Sequence, residues 1–292
     1  MSSLSYGEAA LYAVIQGLTE FLPVSSSGHL RIAHLLGLGN LPDDTQFSYD
    51  ILLHGASLLA MIIAFRREIL LALRPERRLW TALAIAVIPT GLAGLLASPL
   101  YRAAGRSWWI IGAFYLVTAT LLTVSEQRSR RLRAADQQTG PATIEELTAI
   151  SWQQATWVGG LQLLAPFAGV SRSGSTIAGG LWSGLRPAVA VAFSFLVGIP
   201  LIAAVTAKDI VDGGLAALHG AVGSGPLLVG FALCLAVSLG AIALLRLMVR
   251  TRRFWWFAVY CFILALVCFA AGIGDADMPD QQTASALEAT CP

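Results

Sequence analysis

The sequence predicts an all-α polytopic membrane protein of two inverted repeats, each a re-entrant helical hairpin followed by three transmembrane helices. Composition gives the membrane. Hydrophobic residues make up 56% and charged residues 12% of the 292-residue chain, mean hydropathy is +0.70, and a soluble domain carries roughly a quarter charged residues. A repeated string gives the two halves: Val24-Ser25-Ser26-Ser27-Gly28 returns 146 residues later as Val170-Ser171-Arg172-Ser173-Gly174. Both copies interrupt apolar segments with polar, glycine-containing sequence. Irregular backbone at membrane depth persists only where protein or a watery cavity surrounds it, because lipid offers its N–H and C=O groups no partners.

In chain order, the first apolar segment, 8–38, is broken by Pro23 and the serine run. Neither half reaches the roughly 20 residues needed to cross a bilayer core of about 30 Å, so the segment reads as a hairpin with the motif at its tip. Spans near 48–65, 79–97 and 107–124 complete the first repeat, about 1–125. Segment 151–186, broken at Pro166 and at Gly169 to Gly174, is the second hairpin; spans near 188–207, 227–248 and 255–273 complete the second repeat, about 151–274, and residues 275–292 form a tail. The whole is a single integral membrane domain. An odd number of crossings per repeat inverts the second copy, a plan that places sites at the repeat interface. Phe47-Ser48 and Phe193-Ser194 keep the offset of 146, whereas Gly17-Leu18 and Pro23 match Gly160-Leu161 and Pro166 at 143, which implies a three-residue slip in the loop.

Arginine sets the orientation. Of 19 Lys and Arg residues, 13 fall in three segments: Arg66, Arg67, Arg74, Arg77 and Arg78; Arg128, Arg130, Arg131 and Arg133; and Arg246, Arg250, Arg252 and Arg253. Six spans put all three on one side, the cytoplasmic one by the positive-inside rule. The termini then face outward with the acidic residues Asp275, Asp277, Asp280 and Glu288, and the two tips, entering from opposite sides, meet within the membrane. The net charge of +2 is segregated, with no basic surface suited to nucleic acid. Cys234, Cys261 and Cys268 lie in apolar runs and Cys291 in the tail, without metal-ligand spacing, and read as packing residues. Gln16 and Glu20 interrupt the first apolar stretch, which also lacks a basic leader, so no cleavable signal peptide is expected. Trp108, Trp109, Trp255 and Trp256 at span ends read as an interfacial belt.

The tips carry the chemistry. Gln16 and Glu20 share a helix face, Pro23 ends regular helix, and the serines begin a new one whose free N–H groups attract anions. A carboxylate in an apolar segment calls for a partner or a metal. His29 follows the serines and suits proton transfer near neutral pH. In the second tip, Arg172 stands among Ser171, Ser173, Ser175 and Thr176, beside Gly174, at another helix start, a set suited to phosphate. Equivalent positions under the repeat, Ser26 and Arg172 are expected to face each other. Serine, histidine, carboxylate and arginine together suit phosphoryl transfer from an amphiphile. Asp50 and His54 lie where a substrate path would pass, or form an intramembrane pair. A carrier for a polyprenyl phosphate on the same scaffold is the alternative, since inverted repeats with broken hairpins also build transporters.

The stretch Gln16-Gly-Leu-Thr-Glu20-Phe-Leu-Pro-Val-Ser-Ser-Ser-Gly-His29-Leu30, with Gly169-Val-Ser-Arg-Ser-Gly-Ser-Thr176, resembles the undecaprenyl-diphosphate phosphatase family linked to bacitracin resistance. The resemblance implies a multi-pass enzyme of the bacterial inner membrane, its site open to the periplasm. Such an enzyme removes the terminal phosphate of undecaprenyl diphosphate and regenerates the lipid carrier for cell-wall synthesis. It also implies a divalent cation, Mg2+ or Ca2+, as cofactor, with polyprenyl diphosphate and membrane lipids as partners; a homodimer is left open. The family's acidic pair falls on Gln16 and Glu20, its serine and histidine on Ser26 and His29, and its arginine on Arg172. Ser25, Ser27, Ser171, Ser173, Gly174 and Thr176 are the expected substrate-binding residues. Many members have glutamate where this chain has Gln16, and an amide oxygen binds a hard cation more weakly. The usual Pro-Gly before the second motif is here Ala168-Gly169.

Overall fold

A computed structural model describes residues 4–38, 41–72, 76–135, 140–250 and 255–276. Arg74, Arg252, Arg253, Asp277, Asp280, Glu288 and Cys291 lie outside these residues. Among the described residues the protein is all-helical. Six helices are long and apolar enough to cross a membrane: α3 (Asp43–Ala64), α5 (Arg77–Leu96), α7 (Trp108–Ala135), α11 (Pro187–Val211), α13 (Ser224–Arg250) and α14 (Trp255–Ala276). They coincide with the six predicted spans. The two broken segments fold as pairs of shorter helices, α1 (Tyr6–Thr19) with α2 (Ser26–Leu35) and α9 (Trp152–Gln162) with α10 (Arg172–Trp182). Four short connecting helices were not expected: α4 (Arg66–Ala72), α6 (Ser98–Ala104), α8 (Ile144–Thr148) and α12 (Gly214–Val222). At one or two turns each they leave no hydropathy signal of their own.

The helical pairs start alike. Ser5 and Ser151, 146 apart, each cap a first helix with a capping box, closed by Glu8 and by Gln154. The second helices, beginning at Ser26 and Arg172, keep the same offset. Helix α1 has 14 residues and α9 has 11, so the slip read from sequence is one helical turn of α1 that is loop in α9.

Packing is reciprocal between the halves. The first helix of each pair lies on the middle long helix of the other half, α1 on α13 and α9 on α5, while α3 meets α11 and α7 meets α14. Small residues permit the approach, as is usual where lipid tails supply no driving force between helices. A Cβ on Gly17 would lie 2.9 Å from Cys234 O, and one on Gly159 would lie 2.8 Å from Ala86 Cα. Both tips thereby reach the centre, between α3, α7 and α11. Cys234, Cys261 and Cys268 are buried packing residues. Trp109, Trp255 and Trp256 are exposed, but Trp108 is 9% exposed and sits in the core; adjacent helical positions face different ways. At the base of α11, Arg186 bonds both carboxylate oxygens of Glu146, at 2.7 and 2.8 Å. That fork holds the Glu146 carboxyl below the usual carboxylate range.

Candidate active site

The two tips repeat one local design. At the N-cap of α2, Ser25 Oγ accepts the Gly28 N–H at 3.2 Å; at the N-cap of α10, Ser171 Oγ accepts the Gly174 N–H at 3.0 Å. Each cap hydroxyl also meets the one two residues on, Ser27 at 3.4 Å and Ser173 at 3.2 Å. Ser26 and Arg172 therefore hold the same first helical position. The tips also bind one another. Gly169 N–H donates to Ser25 Oγ at 3.1 Å, and Ser173 Oγ donates to Leu22 O at 3.4 Å. Gly169, at φ +101°, takes a conformation that disfavours a side chain and passes against the α7 backbone, while a Cβ at Gly28 would lie 2.8 Å from Gly169 N. Thr118 of α7 fixes the second tip, donating to Gly169 O at 2.8 Å and accepting the Ser171 N–H at 3.1 Å. Ser25 is the single non-glycine residue with positive φ, 67°, among the described residues. Such strain persists where surroundings over-determine it, and here it immediately precedes Ser26.

Glu20 is the centre of the site. It is 7% exposed, and both its oxygens are engaged. Arg172 Nη2 donates to Oε1 at 2.8 Å; Ser26 Oγ donates to Oε2 at 2.7 Å and Gln16 Nε2 to Oε2 at 3.1 Å. Ser26 and Arg172 thus meet through one carboxylate, a buried charge whose pairing offsets its desolvation. His54 of α3 stands behind them with Nε2 3.6 Å from Glu20 Oε2, its Nδ1 bonded to Asp50 O at 2.7 Å. Asp50 in turn accepts Gln46 Nε2 at 3.0 Å and lies 3.8 Å from His34 Nε2. A second Arg172 nitrogen, Nη1, is buried without a protein partner, and so is Gln16 Oε1.

His29, expected from sequence to suit proton transfer, is held by two tyrosines and a backbone carbonyl. Its Nδ1 lies 2.7 Å from Ser25 O and 3.0 Å from Tyr115 OH, and its Nε2 2.7 Å from Tyr260 OH, with the Tyr260 ring stacked at 3°. Ser26 gives its hydrogen to Glu20 instead. The expected phosphate hydroxyls are likewise occupied: Ser25 and Ser171 cap, Ser173 reaches Leu22 O, and Thr176 bonds Arg172 O and Ser194 Oγ. Helix starts carry orphan N–H groups, and nearby hydroxyls satisfy these first. With Gly174 also buried, these residues hold the two tips together.

Gly198 of α11 is a site residue without a sequence signal of its own. A Cβ there would come within 2.8 Å of Arg172 Cζ and closer still to Nη1. Gly198→Ala is expected to displace the guanidinium and cost about 100-fold in turnover, since a shift of about 1 Å at a positioning group carries that penalty. Assays of phosphate release beside thermal unfolding of the same preparation check it; a parental rate would show that the guanidinium is not needed where it lies.

Among the described residues no group of three or more His, Cys, Asp or Glu side chains forms a metal cluster. The oxygen donors present are the Glu20 carboxylate, the unpartnered Gln16 Oε1 and the Ser26 hydroxyl. That set suits a hard divalent cation taking the rest of its shell from water and substrate phosphate.

The family model described as Bacitracin resistance protein BacA matches residues 9–267, from α1 into α14. The chain belongs to the BacA family. Several relatives named undecaprenyl-diphosphatase are similar over nearly their whole length. One from Thermus thermophilus is 35% identical over 271 residues, covering 91% of this chain and 97% of that protein. One from Mycolicibacterium smegmatis is 32% identical, covering 91% and 96%, and one from Desulfosudis oleivorans is 35% identical, covering 91% and 98%. The stretch shared with BacA takes in both tips, with Glu20, Ser26 and Arg172, and also His54 and Gly198.

Proposed function

We propose that this BacA-family protein is an undecaprenyl-diphosphate phosphatase of the bacterial inner membrane, with its site open to the periplasm and its two halves inverted repeats. It regenerates the lipid monophosphate carrier for cell-wall synthesis and so confers bacitracin resistance. The observation that carries this reading is the convergence of Ser26 and Arg172 on the two oxygens of Glu20; transport alone requires no hydroxyl bonded to a carboxylate. The reciprocal packing of the halves supports the repeat.

Arg172 binds the diphosphate through Nη1, the donor left without a protein partner, aided by the N–H groups at the helix starts. Ser26 Oγ attacks the terminal phosphorus. As that O–P bond forms, the bond from phosphorus to the bridging oxygen breaks, its electron pair leaves on the lipid monophosphate, and the hydroxyl proton passes to Glu20 Oε2. Water then displaces Ser26 from the phosphoserine, and Ser26 recovers its proton from Glu20. His29, one turn along α2, is assigned to take the proton of that water at Nε2, the nitrogen now bonded to Tyr260 OH, and to pass it to solvent. Glu20 and Gln16 would hold the divalent cation, Mg2+ or Ca2+, which when bound neutralises charge on the diphosphate.

Purified protein is expected to release phosphate from undecaprenyl diphosphate, to stop under chelator and to resume with added Mg2+ or Ca2+. No release under any divalent cation, with translocation of lipid phosphate intact in proteoliposomes, would replace the hydrolase with a carrier. Gln16→Glu restores a second negative charge and is expected to lower the cation concentration for half-maximal activity. Superimposable titrations would show that position 16 does not touch the ion.

A further inference from the structure

Asp50 O, 2.7 Å from His54 Nδ1, is a backbone carbonyl and only accepts, so Nδ1 carries the ring hydrogen. The neutral imidazole then presents a lone pair at Nε2. That lone pair stands 3.6 Å from Glu20 Oε2, itself an acceptor already taking hydrogen bonds from Ser26 and Gln16. A proton on Nε2 or a metal ion between the two atoms would each make this contact favourable. A metal-ligating histidine characteristically donates its other nitrogen to a carbonyl or carboxylate, which fixes its tautomer and aims its lone pair. Two donors each about 2.2 Å from one ion, at roughly 90–110°, stand about 3.1–3.6 Å apart. Gln16, whose Nε2 bonds the same Glu20 Oε2 at 3.1 Å, has a buried Oε1 without a partner, a third donor in the neighbourhood of Glu20.

We infer that His54 Nε2 is a nitrogen ligand of the cation held by Glu20 and Gln16, making this a mixed nitrogen–oxygen site that ranks Mn2+ above Mg2+ and Ca2+. This rests on the cation assigned to Glu20 in the proposed function and adds a ligand that the acidic-pair motif does not contain. The ranking follows from ligand type: all-oxygen sites suit Mg2+ and Ca2+, and one imidazole shifts preference toward the first-row ions.

The test is spectroscopic. Purified full-length protein is loaded with Mn2+ and read by electron spin-echo envelope modulation for 14N coupling, with Mn2+ and Ca2+ affinities measured on the same preparation. The parent is expected to show imidazole nitrogen coupling that survives in His29→Gln and vanishes in His54→Gln. The advantage of Mn2+ over Ca2+ should shrink about tenfold in His54→Gln, because an oxygen donor replaces a nitrogen. Bound Mn2+ without nitrogen coupling in the parent, or coupling that persists in His54→Gln, would overturn the inference and leave His54 as an imidazolium partner of Glu20. Phosphate release by the parent is read separately. Release without nitrogen coupling removes the ligand and keeps the phosphatase, whereas coupling without release does the reverse.

Discussion

Arg172→Lys is expected to lower kcat/KM by at least tenfold while the protein remains folded. The guanidinium has two tasks in opposite directions: Nη2 bonds Glu20 Oε1 at 2.8 Å, and Nη1 is buried without a protein partner. A planar fork performs both from one fixed group, and its flat face fits against Gly198, where even a Cβ would intrude. Lysine keeps the charge, and with it the neutralisation of Glu20, so the large cost of stranding a buried carboxylate does not arise. What it loses is the bidentate geometry and the pre-organisation of a rigid donor pair. The transition state, which concentrates charge on the transferred phosphoryl oxygens, feels this more than the ground state. Both kcat and KM should therefore worsen, with kcat taking the larger share. A lysine variant at the parental rate would mean that Arg172 supplies only charge.

The backbone plan is legible in the sequence because it follows from local signals: length and hydropathy give the six spans, and proline with a glycine–serine run gives each break. The tip capping is local as well, since Ser25 and Ser171 find their N–H partners three residues on. The site is legible only in part, because its later members arrive through helix packing. His54 approaches Glu20 from α3, and Gly198 approaches Arg172 from α11, neither within a motif. Which hydroxyls remain for substrate depends on how the tips dock. Once Ser173 reaches Leu22 O and Thr176 reaches Ser194, a serine-rich phosphate loop becomes a rigid mount for one arginine. The partner of Ser26 is set by folding in the same way. Sequence proximity favours His29, three residues on, but the first tip folds Glu20 back onto Ser26, while Tyr115 and Tyr260 of distant helices claim the imidazole.

Ser26→Ala and Glu20→Gln are each expected to lower kcat by about 10²–10⁴, the range of a nucleophile or its proton acceptor. In the parent the two are joined by a 2.7 Å hydrogen bond from Oγ to Oε2. A serine without its acceptor and an acceptor without its serine fail in the same step, so the double variant should be little worse than either alone. Ser26→Ala leaves the Arg172–Glu20 pair intact and should still bind undecaprenyl diphosphate. Glu20→Gln removes the counter-charge of Arg172 and, measured without divalent cation, is expected to bind the anionic headgroup at least as tightly, because the guanidinium no longer has a carboxylate competing for it. Binding and turnover should therefore separate in opposite senses at Glu20, a pattern that misfolding does not produce. Acid quench of the parent with substrate labelled in the terminal phosphate should trap label on Ser26. If no label is trapped and Ser26→Ala retains most of its turnover, water is the nucleophile and Ser26 serves only to bind.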